Sequence, residues 1–369
     1  MSLPKTLKSE WPLAAILATT ALFLLFGPGW LADLRSAGWF ALLSVWLLAA
    51  MFLAAFAVVR HADALAAKLG EPYGTLVLTL AITGIEVIMI ASIMYAGNGN
   101  ATLARDAMMS VVMIVLNGML GLTLLIGGLR YREQAYNLQG ANSFLAVILP
   151  LAVLGLVEPN FTESAPGPVY SPVQAAFLSV MSLVLYAVFL GIQTSRHREY
   201  FIWPNEADAG VHHAPERAVR SIPFHSAMLF AYIVPFVLLS KQIAVPIDHA
   251  VRVLRAPPEL AGLLVSVLVL SPESLSAVRA TLANQLQRSV NILLGSVLAS
   301  IGLTIPAVLA VGFLTGQQIV LGLGMTNMTL LLLTLLLSNL TFAAQRTNVL
   351  LGVVHLLLFF TYLMFIFEH

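Results

Sequence analysis

The sequence predicts an all-α polytopic membrane protein with about eleven transmembrane helices, and three observations lead to that prediction. Of the 369 residues, 59% are hydrophobic and only 9% are charged, whereas roughly a quarter of the residues in soluble domains are charged. Apolar windows of ~20 residues recur along the chain, and each is long enough for a helix to cross a bilayer. These windows do not alternate apolar and polar residues as the strands of a membrane β-barrel do.

Eleven apolar segments have the length and composition of a spanning helix. We place them at about 12–30, 38–59, 73–96, 107–128, 142–158, 172–193, 222–240, 258–280, 289–313, 322–343 and 347–367. The first follows Lys5 and Lys8 without a small-residue cleavage pattern, so we interpret it as a span and not as a removed leader. The polar connection at 194–220 is either a solvated linker or a weak cytoplasmic cation sensor.

The distribution of Lys and Arg predicts the orientation in the membrane. With the N-terminus in the cytoplasm, thirteen of these residues fall in inside segments and five in outside segments. Since positive charge accumulates on the cytoplasmic side, we expect the N-terminus inside. An odd number of spans then places the C-terminus on the outer side of the membrane.

Two glutamates lie deep within predicted spans: Glu86 in TLAITGIEVIMIAS and Glu273 in LSPESLSA. A shift of about 187 residues superimposes them, and it also aligns a His-Ala pair and a Glu/Pro turn upstream of each. Spans two to six and seven to eleven therefore form two repeats of five helices, and an odd repeat inserts its second copy inverted. The predicted parts are an extra N-terminal helix at 1–37, a first repeat at 38–193, a linker at 194–221 and a second repeat at 222–369.

A carboxylate at the centre of a bilayer costs roughly 2.5–3.5 kcal/mol on insertion scales. It becomes neutral either by taking a proton, because desolvation raises the pKa of a carboxyl group, or by binding a cation. Two such acids that alternate between the two states predict a secondary antiporter, which exchanges a cation for protons by alternating access. Glu86 and Glu273 are the predicted cation and proton ligands.

Oxygen-bearing side chains near the acids, and on the spans that follow them, are possible supporting ligands for a hard cation. They are Thr83, Ser271, Ser274, Ser110, Asn117 and Ser296. Gly84 and Pro272 predict local loosening of the two acidic helices, which would free backbone carbonyls for an ion. His355 is either a proton relay or a hydrogen-bonded residue between helices.

Other classes of function find little support in the residues. A net charge of +1 argues against a nucleic-acid partner, and the absence of cysteine excludes disulfides and thiolate metal sites. We find no phosphate loop and no metalloprotease or serine–base pattern, so we expect no enzyme activity and no cofactor. A cation-selective channel or proton-leak pathway that uses the same acids stays open. The expected partners are metal cations, protons and the bilayer, and a homo-oligomer is compatible with the sequence.

Four segments resemble one family of transporters. VVRHADALAAKLGEPYGTL, SPESLSA, NQLQRSVNILLGSVLAS and QRTNVLLGVVHL are similar to the ChaA-type branch of the calcium/proton exchangers, in the cation/calcium exchanger superfamily. The resemblance covers roughly 40–365. It implies an inner-membrane antiporter that exports Ca²⁺, or else Na⁺ or K⁺, in exchange for H⁺. It also implies an inverted five-plus-five helix fold with the paired acids as the exchange site.

The sequence departs from that family at one point. Many exchangers of the superfamily carry Gly-Asn-x-x-Glu in both repeats, whereas this chain has Ile82-Thr83-Gly84-Ile85-Glu86 and Val269-Leu270-Ser271-Pro272-Glu273. The asparagine oxygen is absent from both, which bears on the choice between Ca²⁺ and monovalent cations.

Overall fold

The structure is a computed structural model that describes residues 10–70, 73–96, 101–202 and 221–368. Helices dominate the described residues. They are α1 (Trp11–Trp30), α2 (Ala37–Leu69), α3 (Tyr73–Ala96), α4 (Leu103–Val112), a π-helix (Met113–Met119, called the π-helix below), α5 (Leu120–Tyr131), α6 (Leu138–Leu156), α7 (Pro172–Gly191), α8 (Ile222–Arg252), α9 (Glu259–Leu282), α10 (Leu286–Thr315), α11 (Met325–Thr341) and α12 (Val349–Phe367). Short 3-10 helices lie at Glu158–Asn160 and Arg198–Phe201, and α7 ends in a second π-helical segment, Ile192–Arg196. Two-residue strands β1 (Gln134–Ala135) and β2 (Arg346–Thr347) pair antiparallel.

Each of the eleven predicted spans corresponds to one helical rod, with α4, the π-helix and α5 forming a single rod. Within the described residues, ten of the rods are long and apolar enough to cross a membrane, and α11 is a shorter apolar helix of 17 residues. The all-α membrane fold is therefore confirmed. The linker residues 203–220 lie outside the described part of the chain, as do the acidic residues and histidines of the predicted cation sensor.

The described helices fall into two compact units. The first contains α1, α2, α3 and α8, and the second contains α4 to α7, nearly all of α9, and α10 to α12. The first unit thus combines two helices of the predicted first repeat with one of the second. In this unit α2 and α8 pack along each other, and α3 packs on both.

In the second unit, two pairs of helices cross between the predicted repeats. Helix α5 packs on α12, and α10 packs on α7. The first pair approaches so closely that a Cβ on Gly121 would lie 2.9 Å from the Gly352 carbonyl oxygen. Small residues allow this approach, as they do in many membrane helix pairs.

Segments of the second unit that were predicted to be cytoplasmic lie together at one end. Glu133 forms an ion pair with Arg346 beside the β1–β2 pairing, and the Asn137 side chain caps α6. The turn Arg198–Phe201 joins the same end, because Asn291 Nδ2 donates to the Phe201 carbonyl at 2.7 Å. This placement agrees with helices that cross the unit in alternating directions.

Candidate functional site

Glu86 lies in the middle of α3, in the first unit, and its side chain is 1% exposed. Thr83 lies one turn earlier on the same face of the helix and is 4% exposed. Helix α3 continues without interruption through Gly84. The prediction that the helix loosens there is wrong, because a single glycine costs only about 1 kcal/mol within a helix that is otherwise strongly apolar.

Glu273 lies in α9, in the second unit, and is half-buried with Ser271 and Ser274 on either side. Helix α9 also runs unbroken through Pro272, so the predicted break is absent here as well. The proline nevertheless frees one backbone group. It has no N–H, and the carbonyl of Leu268, four residues earlier, therefore lacks its helical donor.

Helix α9 lies parallel to the rod formed by α4, the π-helix and α5, and the two are joined at both ends. At one end Ser266 Oγ donates to the Ala107 carbonyl at 2.9 Å, and a Cβ on Gly262 would come 2.6 Å from the Ala107 nitrogen. At the other end Tyr131 Oη donates to the Leu282 carbonyl at 2.6 Å.

This geometry fixes the height of Glu273 along the rod. Glu273 follows Ser266 by seven residues, which places both on the same face of α9, about two turns apart. Because Ser266 lies beside Ala107, Glu273 is about 10 Å farther along, level with the π-helix Met113–Met119. The second acid therefore lies at the height of the widened part of the rod.

Ser110 and Asn117 lie on that rod, fully buried, and both contact α12. Ser110 Oγ donates to the Asp106 carbonyl and lies 2.7 Å from Tyr362 Oη. Asn117 Nδ2 donates to Thr334 Oγ1 at 2.7 Å, and His355 Nδ1 lies 3.0 Å from Asn117 Oδ1. Both side chains already have protein partners, and their role as cation ligands stays a prediction.

Ser296 differs from them. It is 8% exposed on α10, and its hydroxyl has no hydrogen-bond partner among the described residues. Helix α10 packs on the π-helix. Ser296 therefore offers an uncommitted oxygen in the unit that carries Glu273.

Sequence reasoning missed several features of this region. The π-helix has no signal in the hydropathy pattern, although such segments are frequent at functional sites. Ser266 and Tyr362 were overlooked because each binds a group that is distant along the chain. Among the described residues, no group of three or more His, Asp or Glu side chains has the arrangement of a metal site.

The chain matches the family model described as sodium/calcium exchanger protein over residues 39–195 and 225–368. It is 40% identical over 316 residues to the sodium-potassium/proton antiporter ChaA of Escherichia coli, a match that covers 85% of each chain. It is 42% identical over 312 residues to the putative ionic transporter y4hA of Sinorhizobium fredii, covering 84% of each.

A solved structure shows the same fold at low sequence identity. The Ca²⁺/H⁺ antiporter protein YfkE superimposes with a TM-score of 0.73 and 17% identity, over 98% of this chain and 100% of that one. At this identity the likeness establishes the fold alone.

Proposed function

This chain belongs to the sodium/calcium exchanger protein family, and from that premise we propose that it is a cation/proton antiporter that exports Ca²⁺ in exchange for H⁺, with Na⁺ and K⁺ as competing substrates. The description of the family as exchangers and the name of the relative ChaA, a sodium-potassium/proton antiporter, support antiport. The proposal goes further in naming the ion and the acids. The observation that supports it best is the burial of Glu86, 1% exposed in the middle of an apolar helix.

Glu86 and Glu273 are the two acids of the proposed exchange. Facing the cytoplasm, they lose protons and take up a cation. A divalent ion neutralises two carboxylates, and this neutral state permits the surrounding helices to shift and release the ion outside. Protons then reload the acids and return the carrier. Thr83, Ser271, Ser274 and Ser296 supply supporting oxygens, and Ser110 and Asn117 hold the rod beside Glu273.

The repeats and the location are part of the same proposal. The two ranges that match the family model, 39–195 and 225–368, support an extra N-terminal helix followed by two inverted repeats at 38–193 and 222–369. The bacterial relatives support placement in the inner membrane.

Transport in inverted vesicles tests the function. A pH dye inside acidified vesicles reports proton efflux when Ca²⁺, Na⁺ or K⁺ is added outside, and a channel differs because its proton movement does not require the cation. We expect Ca²⁺ to give the largest response. A response to Na⁺ and K⁺ but not to Ca²⁺ contradicts the choice of ion and leaves antiport standing.

Two substitutions test the acids. Glu86→Gln and Glu273→Gln each remove the exchangeable charge, so cation-driven proton efflux should fall to the level of empty vesicles while the protein still folds. Glu133→Gln is the matched control, because its carboxylate is 55% exposed in an ion pair with Arg346. Full exchange by Glu86→Gln refutes the assignment.

A further inference from the structure

A cluster of five polar side chains lies at one end of the first unit, apart from Glu86. We call Glu10, Arg60, His61, His225 and Tyr232 the His–Glu cluster. Glu10 Oε2 accepts from Arg60 Nη2 at 2.6 Å and from Tyr232 Oη at 2.9 Å. The Nδ1 atoms of His61 and His225 lie 2.9 Å apart. Both histidines are buried, at 2% and 9% exposure.

The contact between the two rings limits how many protons they can hold. A hydrogen bond between two Nδ1 atoms contains one proton, donated by one ring and accepted by the other. If both rings were imidazolium ions, both Nδ1 atoms would carry hydrogen and the two positive charges would meet at 2.9 Å. The pair therefore survives with at most one charged ring.

Arg60 sets the protonation of the pair as it stands. Its Nη2 lies 3.2 Å from His61 Nε2, and because arginine can only donate, we assign His61 Nε2 as an acceptor. His61 is then neutral, and its Nδ1–H donates to His225. A proton added to Nε2 of His61 would face the Arg60 charge, with Glu10 Oε2 at 3.5 Å as its counter-ion.

Glu10 stays a carboxylate in this setting. Burial acts to raise the pKa of Glu10, but the hydrogen bond from Tyr232 and the charge of Arg60 leave that pKa below its usual value. The other titratable groups nearby are Asp63, exposed on α2, and Lys68 near the end of α2. Helix α3 contributes Glu86, midway along its length.

The cluster joins three helices of the first unit. Glu10 precedes α1, Arg60 and His61 belong to α2, and His225 and Tyr232 belong to α8. Helices α2 and α8 pack along each other, and the Glu86 helix α3 rests on both. A change that separates His61 from His225 therefore loosens the surface that supports α3.

We propose that the His61–His225 pair is a second proton-binding site, separate from the exchange site, which shuts the carrier when its own side of the membrane becomes acidic. The second proton breaks the ring pair, which joins this end of α2 to α8. The inference goes beyond the proposed function and adds a means of limiting proton entry. On the proposed orientation, the site senses the cytoplasm.

Maximal exchange rates in inverted vesicles test this site, because the cytoplasmic face is then outside and its pH can be set directly. Protons that compete at the exchange site raise the KM for the cation and are overcome by saturating cation. Protons at the histidine pair lower the maximal rate, and no amount of cation restores it. Because burial of both rings and the Arg60 charge oppose protonation, the response should come below pH 6, and we expect the wild-type maximal rate to fall at least fivefold between pH 8 and pH 5.

Two variants should each weaken the response to acid, one by flattening the profile and the other by shifting it. His225→Gln keeps a hydrogen-bonding group but cannot be charged, so the maximal rate should stay within twofold of its pH 8 value down to pH 5. Glu10→Gln removes the counter-ion of an imidazolium and leaves the Arg60 charge unopposed, so protonation of the pair becomes harder and the fall should begin at lower pH than in the wild type. His249→Gln, at the far end of α8, is the matched control and should follow the wild type.

Thermal unfolding in detergent gives a second measurement that does not depend on transport. The Tm of the wild type should drop between pH 8 and pH 5, and the drop should shrink in His225→Gln. A His225→Gln profile identical to that of the wild type in both measurements overturns the proposal. Absence of any exchange by the wild type would instead overturn the proposed function, and the unfolding measurement would still decide the histidine site.

Discussion

His355 is hydrogen-bonded at both ring nitrogens inside the second unit, and the directions of its bonds can be deduced. Thr334 Oγ1 donates to the Leu330 carbonyl, so it accepts from Asn117 Nδ2. Asn117 Oδ1 is then left to accept from His355 Nδ1–H, and His355 Nε2 accepts from Thr341 at 2.9 Å. The chain of bonds is complete with a neutral ring, which favours a structural role over proton relay.

Replacing this ring should therefore affect stability more than turnover. His355→Leu leaves Asn117 Oδ1 buried without its donor, so we expect the free energy of unfolding to fall by about 1–3 kcal/mol. The exchange rate per folded molecule should stay within threefold. Unfolding in mixed detergent and vesicle transport measure the two. Thr361→Val, exposed on the same helix and bonded to its own backbone, is the control, and unchanged stability of His355→Leu would contradict the assigned network.

The surroundings of Glu86 and Asn117 differ in how far they could be predicted from the sequence. The burial of Glu86 follows from its charge and not from the apolar run alone, because a carboxylate midway along a span is costly against lipid, whereas Leu80 on the same helix is 58% exposed. The partner of Asn117 could not be predicted, because His355 is 238 residues away and only the packing of the π-helix against α12 brings them together.

At the scale of elements, the contact between α5 and α12 depends on backbone proximity. A Cβ on Gly352 would lie 2.6 Å from the Leu125 nitrogen and 2.8 Å from the Gly121 carbonyl oxygen. These neighbours are backbone atoms and cannot move aside as a flexible side chain would. The two helices must separate to admit even one methyl group.

Gly352→Ala should accordingly destabilise the protein, although alanine is the better helix former. We expect a loss of about 1–3 kcal/mol, the usual result of overpacking, seen as a lower Tm in detergent. Gly191→Ala is the matched control, because a Cβ there meets no atom within 4 Å, and it should be neutral or slightly stabilising. Equal Tm values for the two variants would contradict the close approach.

The existence of the helices was predictable from their apolar runs, but their ends and irregularities were not. Helix α2 continues to Leu69 and α8 to Arg252, well past the predicted 38–59 and 222–240. Beyond those limits the helices carry charged residues, so the hydropathy of the sequence marks only the part suited to lipid. The π-helix escapes prediction because one extra residue in a turn leaves the composition unchanged.

At the scale of the whole molecule, the two compact units do not coincide with the two predicted repeats. The pairs α5–α12 and α7–α10 each join one helix from either repeat, so neither half of the sequence contains all its own packing partners. A shift of about 187 residues predicts the repeat. It does not predict which helices of the two repeats pack together, because that pairing depends on helix surfaces that hydropathy does not distinguish.

The odd number of rods leads to the last prediction, which depends on α11. At 17 residues this helix is about 25 Å long, shorter than a hydrocarbon core of about 30 Å. If it crosses nonetheless, with local thinning of the bilayer, the two chain termini lie on opposite faces.

Reporter fusions after Val320, after Gln345 and at the C-terminus test this topology. Alkaline phosphatase is active only outside the cytoplasm, and green fluorescent protein is fluorescent only inside it in this assay. We expect outside, inside and outside in that order, because the Lys and Arg distribution places the N-terminus in the cytoplasm. A result of outside, outside and inside would show that α11 does not cross. A result of inside, outside and inside would show that the whole carrier is inserted the other way.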